Sequence, residues 1–258
     1  MTYDTITYDL NDGVAVVTLN RADKMNALNT QMRAEITDAV RRAGNEARCV
    51  VLTGAGKAFC SGQDLGDRAN ASNIDMERTL RDEYEPMLNA IVDCPVPTIS
   101  AVNGPAAGAG ANLALAADVV IASRSAYFLQ AFSKIGLIPD AGGTWTLPRT
   151  IGLAKAMGTA LFAEKVTADQ ASDWGMIWEA VDDAAFVAHW QGRAAHLAAG
   201  PTKSYKGIKD TMRASFGNSL EEQLRMEAKT QAGCGNSRDF KEGVLAFLEK
   251  RAPKFEGR

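Results

Sequence analysis

The sequence predicts an α/β fold with a helical C-terminal region, and three observations carry that prediction. Runs rich in β-branched residues alternate with helical periodicity through the first half of the chain, glycine clusters follow several of those runs, and beyond Gly143 one helical pattern succeeds another. Residues 6–10 and 14–19 flank Asn11-Asp12-Gly13, a turn signal, and so predict an opening β-hairpin. Asn29 precedes a stretch with Met32, Ile36, Ala39 and Val40 at helical spacing that ends near Gly44. Residues 49–53 (CVVLT) then form a short apolar run of buried-strand type. The pattern recurs as a helix over 74–92, a strand over 98–102, a small-residue helix over 108–117 and a strand over 119–122. Such alternation implies a largely parallel sheet flanked by helices. Capping boxes at Thr167 to Gln170 and Ser219 to Glu222, with helical patterns over 184–199 and 238–251, make the last third helical. No linker divides the two parts, so residues 1–200 are expected as the α/β core and 201–258 as a helical region of the same domain or packed on a neighbouring subunit.

Composition removes several classes of function. The 258 residues carry 28 basic and 31 acidic side chains, a net charge of −3 with no block of lysine or arginine, which disfavours nucleic acid and anionic lipid as partners. Residues 94–117 are uncharged, but Pro95, Pro97 and Pro105 with Gly104, Gly108 and Gly110 break the run. The longest helix left there spans roughly 18 Å, short of the roughly 30 Å of a bilayer core, so no membrane span is expected. Four scattered cysteines (Cys49, Cys60, Cys94, Cys234) with no CxxC pair and no signal-peptide pattern suit a reduced, cytoplasmic setting. The two histidines, His189 and His196, lie far from any glycine-rich loop, which argues against serine-histidine catalysis and multi-histidine metal sites. Trp174 and Trp178 read as core residues.

Three glycine-rich loops remain as candidates for chemistry: residues 54–64, 104–110 and 139–143. Neither a P-loop nor a dinucleotide fingerprint fits, because Val51, Ala58 and Leu113 occupy positions where those motifs need glycine, serine or threonine, and glycine. The second loop runs into a helix whose first turn has unpaired N–H groups, and its small residues Gly108, Ala109 and Gly110 would let a carbonyl oxygen approach the backbone. Close packing of a small-residue helix explains the same residues. The third loop offers Asp140 amid Phe132, Ile135, Leu137, Ile138 and Trp145, where burial would raise its pKa and a following helix N-terminus would lower it. A turn or capping aspartate is the competing reading of that residue.

The segments GAGKAFCSGQDL, AVNGPAAGAGANLALAAD and FSKIGLIPDAGGTWTLPR, in this order, resemble the crotonase (enoyl-CoA hydratase/isomerase) family, from RADKMNAL at Arg21 to FLEKRAPKF near the C-terminus. The resemblance implies a crotonase-like (ClpP/crotonase) fold of repeated ββα units in a perpendicular pair of sheets, a homotrimer or homohexamer, and an acyl-CoA thioester as substrate. It implies no cofactor beyond the coenzyme A that the substrate carries, and no metal. By the same resemblance the oxyanion hole would be the N–H groups of Cys60 and Ala109. The two glutamates with which hydratases of the family activate water correspond here to Asn112 and Phe132, an amide and a phenyl ring that cannot serve as bases. Asp140 falls where the typical hydratase has glycine and some isomerase and dehalogenase relatives have a catalytic aspartate.

Within the family, SGQDLGDR, AFSKIGLIPDAGGTW, WGMIWEAVDD and FKEGVLAFLEKRAPKFEGR most resemble the isomerases that convert the ring epoxide of phenylacetyl-CoA into an oxepin. That implies Asp140 as base and then acid, with Phe132, Leu137 and Ile138 shaping a dry acyl pocket. Asn112 would position substrate or brace its helix, with neither favoured. The coenzyme would lie along Arg21, Ala22, Lys24 and Ala27 and over Gly62, Gln63, Asp64 and Leu65, with Phe255 and Arg258 reaching the nucleotide of an adjacent subunit. A solvated surface lysine explains Lys24 nearly as well. A straight-chain enoyl-CoA isomerase, an aspartate nucleophile of the dehalogenase type, and a non-catalytic acyl-CoA-binding partner of an enoyl-CoA hydratase are the alternatives; a complex with such a hydratase is also an expectation.

Overall fold

A computed structural model describes residues 2–66 and 75–257. The hairpin forms from β1 (Ile6–Asn11) and β2 (Val14–Leu19), paired antiparallel with Ile6 opposite Leu19. Asp12 and Gly13 both have positive φ, the geometry of a two-residue turn whose twist matches that of the strands. Asn29 caps α1 (Thr30–Glu46) by accepting from the Met32 amide, and the helix runs two residues past Gly44. Next come β3 (Cys49–Gly54), α2 (Met76–Thr79), a π-helical turn over Leu80–Tyr84, and α3 (Glu85–Val92). The helix expected over 74–92 is thus interrupted by a wide turn, and residue 74 lies outside the described residues.

β4 (Thr98–Val102), a two-residue β5 (Ala106–Ala107), α4 (Ala109–Leu115), β6 (Val119–Ser123) and β7 (Tyr127–Leu129) follow. Then come α5 (Gly143–Phe162), broken at Gly152, β8 (Lys165–Thr167), α6 (Ala168–Asp173) and β9 (Glu179–Val181). The chain closes with α7 (Asp183–Ala199), α8 (Thr202–Ala214), α9 (Leu220–Gly235) and α10 (Arg238–Leu248). Both expected capping boxes form, at α6 and α9.

One sheet has the order β1-β2-β3-β4-β6-β9 and is parallel except for the opening hairpin; a smaller sheet has the order β5-β7-β8. Side chains alternate across β3: Val50 and Leu52 join the core with Met32 and Ile36 of α1, whereas Cys49 and Val51 pack with Phe186 and Trp190 of α7. The large sheet is therefore buried on both faces, as its unbroken apolar runs require. Strands of two or three residues (β5, β7, β8, β9) are too short to show a period of two, so no sequence pattern marks them. Trp174 packs partly buried against the core, but Trp178 is exposed, contrary to expectation.

α8 is fastened to the core of its own chain by charge. Lys209, 8% exposed, donates to the Cys94 and Val96 carbonyls and pairs with Asp118 at 2.7 Å, while Arg213 pairs with the other Asp118 oxygen at 2.8 Å. Asp118 also accepts from the amide and hydroxyl of Thr98, so its half-buried charge is satisfied from three sides. His189 lies on α7 against Glu179 at 2.7 Å. Among the described residues no helix is long and apolar enough to cross a membrane, and no cluster of three or more potential ligands could hold a metal ion.

Candidate active site

Two short parallel bridges shape the first glycine-rich loop. At one, Cys60 pairs with Ala106: the Cys60 amide donates to the Pro105 carbonyl at 3.2 Å, and its carbonyl accepts from Ala107 at 2.9 Å. At the other, Leu28 pairs with Gln63: the Leu28 amide donates to Gly62, and the Leu28 carbonyl accepts from Asp64. In a parallel bridge only one residue of the pair uses its own N–H and C=O. Cys60 is that residue in the first bridge, and Leu28 in the second, so the Gln63 amide faces away from Leu28.

This corrects the expected pair of backbone donors. The Cys60 amide is consumed within the small sheet, and burial pushes its thiol up to about 12, which leaves it a neutral packing group. The amide of Gln63 instead has no acceptor among the described residues, and neither has that of Ala109 at the first position of α4. Gly62 brings the two segments together: with φ of +97°, its missing Cβ would lie 2.8 Å from the Ala107 carbonyl and 3.4 Å from the Ala109 nitrogen. Two free N–H groups beside a helix N-terminus can hold an oxygen that gains negative charge.

Asp140 sits in the turn before α5, where Ala141 and Gly142 both take positive φ. A non-glycine residue in that region costs of order 1 kcal/mol and persists only where its surroundings impose it. Here the imposing group is Asn112, 2% exposed on α4, whose amide donates to the Asp140 backbone carbonyl at 2.7 Å and accepts from Gln130 at 2.9 Å. Asn112 thus braces the acid's loop. The Asp140 carboxyl is half-buried, its Oδ1 has no hydrogen-bond partner, and burial raises its pKa to about 6, opposed only by its own backbone N–H.

Asp140 lines a cavity of about 1000 Å³ with Tyr84 and Leu88, Asn112, Ile138, Trp145, and the α8 residues Ile208, Met212 and Phe216. Among the described residues two other carboxylates line this cavity: Asp118 is paired with Lys209 and Arg213, and Glu85 is exposed. Phe132 and Leu137, expected in the wall, are not part of it. The Phe132 ring is buried and turned toward Gly108, 3.9 Å from where a Cβ would stand, and Leu137 is 38% exposed.

The segment 21–27 does meet the loop at 61–64. Ser61 donates to Met25, and Arg21 pairs with Asp64 at 2.8 Å while donating to the Ala27 carbonyl at 2.6 Å. The Arg21 charge is thus paired with Asp64 within the chain. Ala27 is buried, whereas Ala22, Lys24 and Leu65 are exposed. Phe255 packs on Gly243 of its own α10 and its carbonyl accepts from Arg48; Arg258 lies outside the described residues. Sequence reasoning missed Tyr84, whose hydroxyl donates to the Gln63 side chain at 2.5 Å, and Arg33, 1% exposed beside it. An arginine among the apolar positions of α1 was the available signal for the latter.

The sequence profile of the enoyl-CoA hydratase/isomerase family matches residues 9–258. The chain is 59% identical over 258 residues, all of both chains, to "Probable enoyl-CoA hydratase" of Rhodobacter capsulatus. It is 46% identical over 251 residues, 95% of this chain and 96% of the other, to 1,2-epoxyphenylacetyl-CoA isomerase of Escherichia coli. The crystal structure of enoyl-CoA hydratase from Bacillus anthracis superposes with a TM-score of 0.91 at 30% identity, covering 99% of this chain and all of that one. The fold, the glycine loops and these matches agree, and the chain belongs to the crotonase family of enoyl-CoA hydratases and isomerases.

Proposed function

We propose that this enzyme is an acyl-CoA isomerase in which Asp140 shuttles a proton, and that its substrate is the ring epoxide of phenylacetyl-CoA. The observation that carries the reading is Asp140 itself: a half-buried carboxyl with an unpartnered oxygen and a pKa of about 6, on a residue that lines the cavity, whose other lining carboxylates among the described residues are ion-paired or exposed. Such a group is ionised at neutral pH yet basic enough to take a proton from the carbon next to a thioester carbonyl. The amides of Gln63 and Ala109 receive the enolate oxygen, and a donor of this kind is worth roughly 2.7–4 kcal/mol in the transition state. Protonated Asp140 then returns the proton further along the conjugated system.

Water addition lacks its machinery. Asn112 has its amide and carbonyl committed to Asp140 and Gln130, and Phe132 offers no polar atom. The named activity of the E. coli relative supports the ring-epoxide substrate. A cavity of about 1000 Å³ favours, as a second reading, extended enoyl chains whose double bond the same acid would move. The exposed side chains of Ala22, Lys24 and Leu65 are proposed to carry the nucleotide end of the coenzyme, with Phe255 contributing from an adjacent subunit. Exposed apolar residues on α5 (Leu153, Met157, Leu161, Phe162) support a trimer or hexamer.

Initial rates with 1,2-epoxyphenylacetyl-CoA, 3-enoyl-CoA and 2-enoyl-CoA test the reading. Isomerisation of the epoxide with little water addition to the 2-enoyl thioester is expected. Hydration as the fastest of the three reactions would overturn it.

A further inference from the structure

Arg33 is a fully buried cation, and burying a charge is unfavourable by several kcal/mol unless its surroundings answer it. Every acceptor it uses belongs to one local assembly. Its Nε donates to Glu83 at 3.0 Å and its Nη2 also reaches Glu83, while Nη2 contacts Thr30 at 3.2 Å. Nη1 donates to the Leu28 carbonyl at 2.6 Å and to the Gln63 side-chain oxygen at 3.2 Å. Leu28 and Gln63 are the two partners of the bridge that leaves the Gln63 amide facing away from Leu28, so one guanidinium group staples both sides of it.

Tyr84 completes the assembly. Its hydroxyl donates to the same Gln63 oxygen at 2.5 Å, and its ring stacks under the Arg33 guanidinium at 4.8 Å. The π-helical turn over Leu80–Tyr84 lets consecutive residues serve one cation, Glu83 as counter-ion and Tyr84 as stacking face. If ion pairing alone were needed, an apolar residue in place of the charge would pack as well. What an apolar residue cannot do is hold the Leu28 carbonyl and the Gln63 side chain at once.

We propose that Arg33 and Tyr84 are positioning residues that act through the Gln63 side chain to fix the Gln63 amide as an oxyanion donor. The inference rests on the reading of Gln63 and Ala109 as the enolate-binding pair. Neither residue needs to touch the reacting atoms. Losing either leaves the amide in place but free to rotate out of aim, and a misplacement of about 1 Å can cost on the order of 10²-fold in rate.

The test follows deuterium exchange at the carbon next to the thioester carbonyl of phenylacetyl-CoA in heavy water, over a range of substrate concentration and pH. Gln63→Met and Tyr84→Phe are expected to lower kcat by about tenfold or more, with KM within about threefold and the pH midpoint set by Asp140 unmoved. Gln63→Glu, which keeps an acceptor for both donors, is expected to recover most of the loss. Should Gln63→Met fail to fold, Tyr84→Phe decides alone, since it removes one hydroxyl and keeps the ring. Wild-type kcat in Tyr84→Phe, or a loss carried wholly by KM, overturns the inference while Asp140→Asn remains inactive. Exchange that survives Asp140→Asn overturns the enolate reading and this inference with it.

Discussion

The Asn112 side-chain amide donates to the main-chain carbonyl of Asp140 at 2.7 Å, so a single hydrogen bond ties the helix that presents the Ala109 amide to the loop that presents the acid. Base and backbone donor are thereby held in one rigid frame. Asn112→Ala removes that tie and leaves Gln130, already short of one partner, without the acceptor for its buried amide. Destabilisation on the order of 1–3 kcal/mol is expected by urea denaturation. A fall in kcat beyond what the unfolded fraction explains is expected from initial rates.

Gly143 stands against the same amide. A Cβ there would lie 2.4 Å from Asn112 Nδ2, far inside contact distance. Gly143→Ala therefore displaces the brace without touching Asp140 and is expected to cost about 1–3 kcal/mol. Its pH–rate midpoint should move away from about 6, because the carboxyl takes a new depth; an unchanged midpoint with unchanged rate would show that the brace does not set the acid's position.

Much of this frame is legible in the sequence, and the part that is not has a common cause. Helix caps at Asn29, Thr167 and Ser219 and the apolar runs of β3 and β4 are local signals, and the structure realises each of them. Asp140 is recognisable because proline and paired glycines flank it among apolar residues. Which backbone amide is free, by contrast, depends on which residue of a bridge spends its own N–H, and Cys60 and Gln63 differ only in that non-local pairing. The bonds of Arg33 to Glu83 and Gln63 span 50 and 30 residues, beyond any periodicity.

Titration of Asp140 fixes both activity and stability against pH. Its folded pKa is raised to about 6 by burial, so kcat/KM is expected to rise as pH increases through about 6 and the base ionises. The sign for stability is opposite: between the ordinary carboxylate value and about 6 the folded state binds more protons than the unfolded chain, and stability falls as pH rises across that window. Asp140→Asn removes this penalty. A gain on the order of 1–2 kcal/mol at pH 8, vanishing near pH 4, should appear in thermal unfolding at the two pH values.

Asp118 anchors α8, whose Ile208, Met212 and Phe216 form one wall of the cavity. Removing one partner from a buried ion pair typically costs about 3–5 kcal/mol. Asp118→Ala is expected to approach that figure and to raise KM more for bulky acyl groups than for acetyl-CoA. Equal KM changes for all chain lengths would mean that α8 does not bound the acyl site.

Proton exchange by the Asp140→Asn variant tests the central claim most directly. With phenylacetyl-CoA in heavy water the wild type should exchange the protons next to the thioester carbonyl, and the variant should do so at least about 10³-fold more slowly. Its affinity for the thioester, measured by calorimetry, should stay within about threefold of the wild type. Exchange in the variant at a rate near that of the wild type would contradict the account, because the proton would then be leaving to some other base.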